Sequence, residues 1–227
     1  MKKIYISLII ILVAFTASAQ NLWLGAEGQK FYDELLIRKA LKGEVEDYEG
    51  SPYMDEEFTE AIVISSDSNI YKGVPLRYNV YNDLFEVKLE DGAYALKRGV
   101  IVCEVIMGDH SFIYTLYDYQ SVEKEGYLEI IAEGEYSLLK QYQVVFKQAE
   151  PVKPYQDARP AIFQTRDPLL YISHGDSKPV FVRNKKYLLD IAGDKGKALN
   201  DFMKDNKLKM RSQEDMIKAV EFLNSLK

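Results

Sequence analysis

Histidine and cysteine carry much of the acid–base, nucleophilic and metal chemistry of proteins, and this 227-residue chain has only His110, His174 and Cys103. Both histidines stand near an acid, in Asp109-His110 and His174-Gly175-Asp176, where a carboxylate could orient an imidazole for proton transfer. Asp and Gly at those places are also what a hairpin turn selects for its backbone, and that explanation suffices. A zinc site would need both histidines and a carboxylate to converge from distant turns, and the HExxH spacing is absent. So are GxSxG, GxxxxGKS/T and GxGxxG, the spacings of a nucleophile elbow, a phosphate-binding loop and a dinucleotide fold. Asp55-Glu56-Glu57 offers the oxygen ligands calcium prefers but lacks the DxDxDG spacing, and reads as a solvated acidic loop. The sequence therefore assigns no catalytic, cofactor or metal residue, and the chain leans towards a non-enzyme.

A single cysteine forbids an internal disulfide. Cys103 lies in the apolar run Val100 to Ile106, so a buried structural thiol is expected. Tyrosine is the unusual count: 17 against one tryptophan, ten of them between Tyr71 and Tyr142. β-propensity explains part of this. On the strand Ser111 to Tyr119, however, Tyr117 and Tyr119 share one face while Phe112, Tyr114 and Leu116 take the other, so both faces must be covered. One faces the core; the other meets helices, a second sheet or a partner. Tyrosine, apolar at one end and wet at the other, suits interfaces, which makes Tyr117 and Tyr119 the partner-binding candidates.

The elements that position these residues are mostly strands. Ile70 to Leu96 reads as a meander, with turns at Asn82-Asp83 and Asp91-Gly92. Two-residue turns there set Val80 opposite Phe85, Tyr78 opposite Val87, Leu76 opposite Leu89, then Leu89 opposite Tyr94 and Val87 opposite Leu96. Arg77, Asn79, Glu86, Lys88 and Lys97 fall on the other face. A turn at Gly108-Asp109 sets Val105 opposite Phe112. Further strands follow at Tyr127 to Glu133 and Glu135 to Lys147, and a hairpin joins Leu169–Ser173 to Pro179–Arg183. Helical spacing covers Gln29 to Lys42, Lys185 to Ile191 and Lys195 to Asp205, and Ser212 caps a last helix with Asp215 at its third position. The expected fold is α+β: a mainly antiparallel β body, sandwich or partly closed barrel, with an N-terminal helix and C-terminal helices packed on it.

The chain divides into residues 1–20, a signal peptide; 21–60, the N-terminal helix and acidic loop; 61–148, the antiparallel β domain; 149–160, a Pro-rich connector; and 161–227, a hairpin with the C-terminal helices. Lys2-Lys3, the apolar run Ile4 to Phe15 and Ala17-Ser18-Ala19 have the order of a secretory signal. That run falls short of the roughly 20 residues a spanning helix needs, so a membrane anchor is the weaker reading, and no later segment reaches that length. Without Lys2 and Lys3 the 29 basic residues become 27 against 35 acidic, a net of −8, which leaves no electrostatic footprint for nucleic acid.

Gly50-Ser51-Pro52-Tyr53, the segment Val74-Pro75-Leu76-Arg77-Tyr78-Asn79 running to Asn82-Asp83, and the closing helices Lys195–Asn206 and Ser212–Leu226 together resemble an exported, functionally uncharacterised family of Gram-negative bacterial proteins. The resemblance covers most of the mature chain, with Ala26 to Lys42 outside it. It implies export and a β-rich body with a helical tail, and supplies no reaction. The expectation is a non-enzymatic, exported cell-envelope protein with a binding or structural role, in the periplasm, at the outer membrane or outside the cell, whose partner is a protein or envelope component. The alternatives are a carrier that encloses a small apolar ligand or lipid in a curved sheet, and an envelope hydrolase with an unrecognised site.

Overall fold

A computed structural model describes residues 35–39, 48–98, 102–150 and 159–226. The expected signal peptide, most of the expected N-terminal helix and most of the Pro-rich connector lie outside them. The meander shows how side-chain chemistry sets register. Its strands are β4 (Ile70–Asn79), β5 (Leu84–Leu89) and β6 (Gly92–Leu96), and Leu76, Tyr78, Val80, Phe85 and Val87 are buried as one face. Both hairpins, however, are offset by two residues from the expected pairing: Tyr78 faces Phe85, Leu76 faces Val87, and Val87 faces Tyr94. An offset of two keeps every side chain on its side of the sheet. The expected register would set Arg77 against Lys88, whereas the observed one sets Arg77 against Glu86, and opposite charges directly across a ladder are the favourable pair. Glu86 and Asn79, expected on an open polar face, are buried at 3% and 4% exposure, because Arg77 and Tyr53 enclose them.

The remaining strands are β1 (Leu36–Lys39), β2 (Tyr48–Glu49), β3 (Thr59–Ser65), β7 (Val102–Met107), β8 (His110–Tyr119), β9 (Val122–Ala132), β10 (Tyr136–Lys147), β11 (Ala161–His174) and β12 (Val180–Phe181). They form one sheet in the order β1-β6-β5-β4-β3-β7-β8-β12-β11-β10-β9, with β2 on β11. Because β9 also pairs with β8 along nearly its whole length, β8, β9, β10, β11 and β12 close into a five-strand ring, and the meander continues from β8 as an open flap. The closing seam is parallel, Val180 against Asp118, and β2 is parallel to β11.

The sheet is therefore mixed, which corrects the expected antiparallel body. The expected N-terminal helix is corrected as well: Leu36–Lys39 is a strand on the free edge of β6, with Leu36 paired to Leu96. An edge with unpaired N–H and C=O groups takes a strand in preference to the helical spacing that Phe31, Tyr32, Leu35 and Leu36 suggest. The fold is mainly β with a small helical group at its C-terminal end. Nor is Cys103 buried; it is exposed, at a bulge where β7 carries one residue more than β3, between Glu104 opposite Ile64 and Val102 opposite Ser65. Val105 does face Phe112, as a turn at Gly108-Asp109 requires. β10 and β11, on either side of the Pro-rich connector, pair from Tyr136–His174 to Lys147–Ile162, so the sheet is continuous across it.

Three apolar clusters result among the described residues. The flap packs its inward face, including Val63, Val74, Leu76, Phe85 and Val105, against Phe112 and Tyr127 of the ring. Tyr117, Leu128, Leu139 and Tyr171 fill the ring itself. Outside it, α1 (Lys185–Ala192), α2 (Gly196–Asp205) and α3 (Gln213–Ser225) cover Leu138, Leu170, Ile172 and Val182 with Leu188, Leu199, Met216 and Leu223. Ser212 accepts the Asp215 N–H as the cap of α3. Near its other end Asn224 clasps Tyr136 of β10, accepting its N–H and donating to its C=O at 2.8 Å each. Gly134 makes room for that clasp, since a Cβ there would collide with the Asn224 amide.

Candidate functional site

Odd-numbered residues of β8 point into the ring. Tyr117, at 4% exposure, packs edge-on against Tyr171 with ring centroids 5.0 Å apart. Its hydroxyl accepts from Gln141 Nε2 at 2.7 Å, and the Tyr171 hydroxyl donates to Gln141 Oε1 at 2.9 Å, so one amide satisfies two phenols inside the ring. Burial raises the pKa of both tyrosines, which remain neutral donors and acceptors. Tyr119 lies two residues nearer the ring's open end, half-buried, with Phe181 at 5.1 Å and the Lys124 ammonium 4.7 Å above its ring. The two tyrosines singled out by the sequence thus share a face and occupy different places, Tyr117 in a filled interior and Tyr119 near the mouth.

That mouth is a rim cavity of about 330 Å³ between the β8–β9 turn and the start of α1, lined by Asp118, Gln120, Ser121, Phe181, Arg183 and Tyr187. Gln120 and Ser121 form the two-residue β8–β9 turn in left-handed conformation, φ +52° and +69°, where Gly or Asn is the usual choice. Such conformations cost of order 1–3 kcal/mol and cluster at binding sites. Asp118 lies on the seam, its N–H donating to Pro179 O at 2.8 Å. Lys178 bridges Asp118 Oδ1 (3.1 Å) and Glu123 Oε2 (2.7 Å), and those two carboxylates, Glu123 first, raise the lysine's pKa. Arg183 follows β12, and Asn184 caps α1 by accepting the Tyr187 N–H at 2.9 Å. This cap turns Tyr187 back beneath Arg183, whose guanidinium carbon lies 5.0 Å from the ring centroid. Among the described residues no carboxylate pairs with Arg183.

Two buried carboxylates lie elsewhere. Glu129, at 4% exposure, holds His110 Nδ1 at 2.5 Å; the Lys140 ammonium is 2.5 Å from its other oxygen, an ion-pair contact whose angles fall short of a hydrogen bond. Burial first, and the Glu129 charge second, raise the pKa of Tyr142 beside this pair. Arg77 Nε and Nη2 both donate to Glu86 Oε2, at 2.9 and 2.6 Å. His174 stacks on Tyr136, centroids 4.4 Å apart, and shares Glu135 with Lys195. Hydrogen bonds from Lys195 and then His174 lower the Glu135 pKa. Each histidine therefore takes a glutamate from another strand or turn, Glu129 or Glu135, rather than the neighbouring Asp109 or Asp176. Ser111, the hydroxyl nearest His110 in sequence, is turned to Glu104 at 2.6 Å and does not complete a relay there. Among the described residues no group of three or more His, Cys, Asp and Glu side chains could hold a metal.

Sequence reasoning reached Tyr119 but missed Arg183, Tyr187, Gln120 and Ser121. The signal available was Gln120-Ser121 between two alternating runs, which marks a two-residue turn; nothing local marks Arg183, brought there by the parallel seam. Among the described residues no helix is long and apolar enough to cross a membrane. No protein-family model, curated protein or solved structure matches the chain.

Proposed function

We propose that the chain is a non-enzymatic, exported cell-envelope protein that captures its ligand at the mouth of the five-strand ring. The observation that carries this reading is the mouth itself: a cavity of about 330 Å³, within the roughly 300–1,000 Å³ of ligand sites, joins an apolar wall at Phe181 to an arginine without an acidic partner among the described residues. The ring below is filled, so the site is a shallow cup and not a tunnel. A carrier of apolar molecules would need the interior that Tyr117, Leu128, Leu139 and Tyr171 occupy. A hydrolase would need a nucleophile beside His110 and Glu129.

Amide chemical shifts of the isotope-labelled mature protein, titrated with peptidoglycan fragments, neutral and acidic oligosaccharides and lipid micelles, test the reading. Shifts confined to residues 118–121 and 178–187 support it; shifts that cluster elsewhere overturn it. Tyr119 backs Phe181 at 5.1 Å without lining the cavity, so Tyr119→Ala should weaken capture through Phe181 and lower melting less than loss of a fully buried ring does. Tyr117→Ala should instead destabilise the fold by about 3 to 5 kcal/mol, as loss of a buried aromatic does. Turnover of any of these compounds, abolished by His110→Ala, would replace this reading with the hydrolase.

A further inference from the structure

We infer that the ligand class of the mouth is an acidic sugar, a hexuronate unit with its ring carboxylate, free or at the end of a polysaccharide; the inference rests on the binding reading above. The charges and the hydrogen-bonding groups of the cavity select it. Arg183 presents a planar fork of donors that matches a carboxylate in two-pronged geometry, and the Tyr187 ring holds that fork in place. Asn184 and the first turn of α1 lie next in sequence, which adds the positive end of a helix to the same side.

Asp118 also lines the cavity, and Lys178 occupies only its Oδ1, which leaves Oδ2 as an acceptor. Lys178, shared with Glu123, offsets only part of the Asp118 charge, so a carboxylate ligand must sit on the Arg183 side of the cavity. Hydroxyl groups can nevertheless donate to Oδ2. The Ser121 hydroxyl, without a bonded partner among the described residues, and the Gln120 amide supply further donors and acceptors from the strained turn. Phe181 offers aromatic surface to the C–H face of a sugar ring.

The site thus has one two-pronged cationic contact, several hydroxyl-matching groups and an aromatic floor. A simple carboxylate such as acetate uses only the first of these. A neutral hexose uses only the last two. Phosphate fits the same fork, so inorganic phosphate joins the titration, and phosphate bound at the mouth as tightly as glucuronate would overturn the carboxylate class.

The test is titration of the isotope-labelled mature protein with glucuronate, galacturonate, glucose, acetate and inorganic phosphate, followed by amide shifts. Expected are shifts at 118–121 and 181–187 with either uronate, at least about tenfold weaker binding of glucose and of acetate, and a loss of at least about tenfold in Arg183→Gln, the scale of one charge-assisted two-pronged contact. Arg183 is exposed, so the variant's spectrum reports directly that its fold is intact. Glucose binding at the mouth as tightly as glucuronate would overturn the acidic class and keep the site. A mouth that shifts with other envelope compounds and with no sugar would overturn the sugar class and keep the site. Uronate shifts placed elsewhere, or unchanged in Arg183→Gln, would overturn the inference, and shifts elsewhere for every probe would remove the mouth as well. A uronic-acid oligosaccharide binding more tightly than the monomer identifies a polysaccharide end as the source.

Discussion

Asp83 sits in left-handed conformation, φ +49°, and its carboxylate reaches from the β4–β5 turn into the ring: Oδ1 accepts the Tyr78 hydroxyl at 2.6 Å, and the Tyr127 N–H lies 3.3 Å from both oxygens. Gly126 admits it, since a Cβ there would collide with Asp83 Oδ2. Asp83→Ala should cost about 1 to 3 kcal/mol for each buried group left unpaired, plus the strain of alanine at positive φ, read from urea midpoints. An asparagine side chain keeps an acceptor and tolerates the turn, so Asp83→Asn should be the milder change. The two also differ with pH. Burial raises the folded-state pKa of Asp83, opposed by the Tyr78 and Tyr127 bonds, so the folded chain holds this proton to a higher pH than the unfolded one. The resulting contribution is fully present below the unfolded value and is lost as pH rises through the folded value. Asp83→Asn should flatten that part of the stability profile; an unchanged slope would mean that another group sets it.

At the scale of elements, Val87 and Lys88 are adjacent on β5 and face opposite ways, Val87 at 0% exposure between Leu76 and Tyr94, Lys88 exposed. Val87→Asp should unfold the flap, because an unpaired charge buried there costs several kcal/mol against a typical total of about 5 to 15. Lys88→Asp should be mild, and thermal melts of the two variants compare them directly. Which residues share a face, where Ser212 caps α3 and where β7 turns into β8 were legible because strand alternation, capping chemistry and Gly108-Asp109 are local signals. The bulge that exposes Cys103 and the edge pairing that makes Leu36–Lys39 a strand were not, because both depend on a partner strand distant in sequence. For the same reason Glu129 and Glu135, which hold His110 and His174, were not legible: the sequence offered only the neighbouring Asp109 and Asp176, and turn chemistry sufficed to explain those.

For the whole molecule, the ring depends on β12, two residues long, and on one parallel pairing to β8. Adjacent strands usually pair, so sequence order suggested a mainly antiparallel body, sandwich or partly closed barrel, and concealed the parallel seam and the mouth it creates. Arg183 and Gln120 are 63 positions apart, and the seam alone brings them together. The order of charged, apolar and small residues over positions 1–20 predicts export, with a mature chain that begins at Gln20 or Asn21. Intact mass of protein recovered from the envelope fraction measures this. A retained Met1 on a membrane-bound product would make the segment an anchor.

The two-residue offset in the meander has a further meaning. A strand that slides by two keeps the same side chains dry, so the apolar pattern alone is a ratchet with evenly spaced teeth, equally content at several settings. Arg77 and Glu86 act as the pawl: one setting joins them, and the next would drive Arg77 onto Lys88. Between β4 and β5 the hydrophobic residues decide which way the sheet faces, and the turn together with the Arg77–Glu86 pair decides how far along it stops.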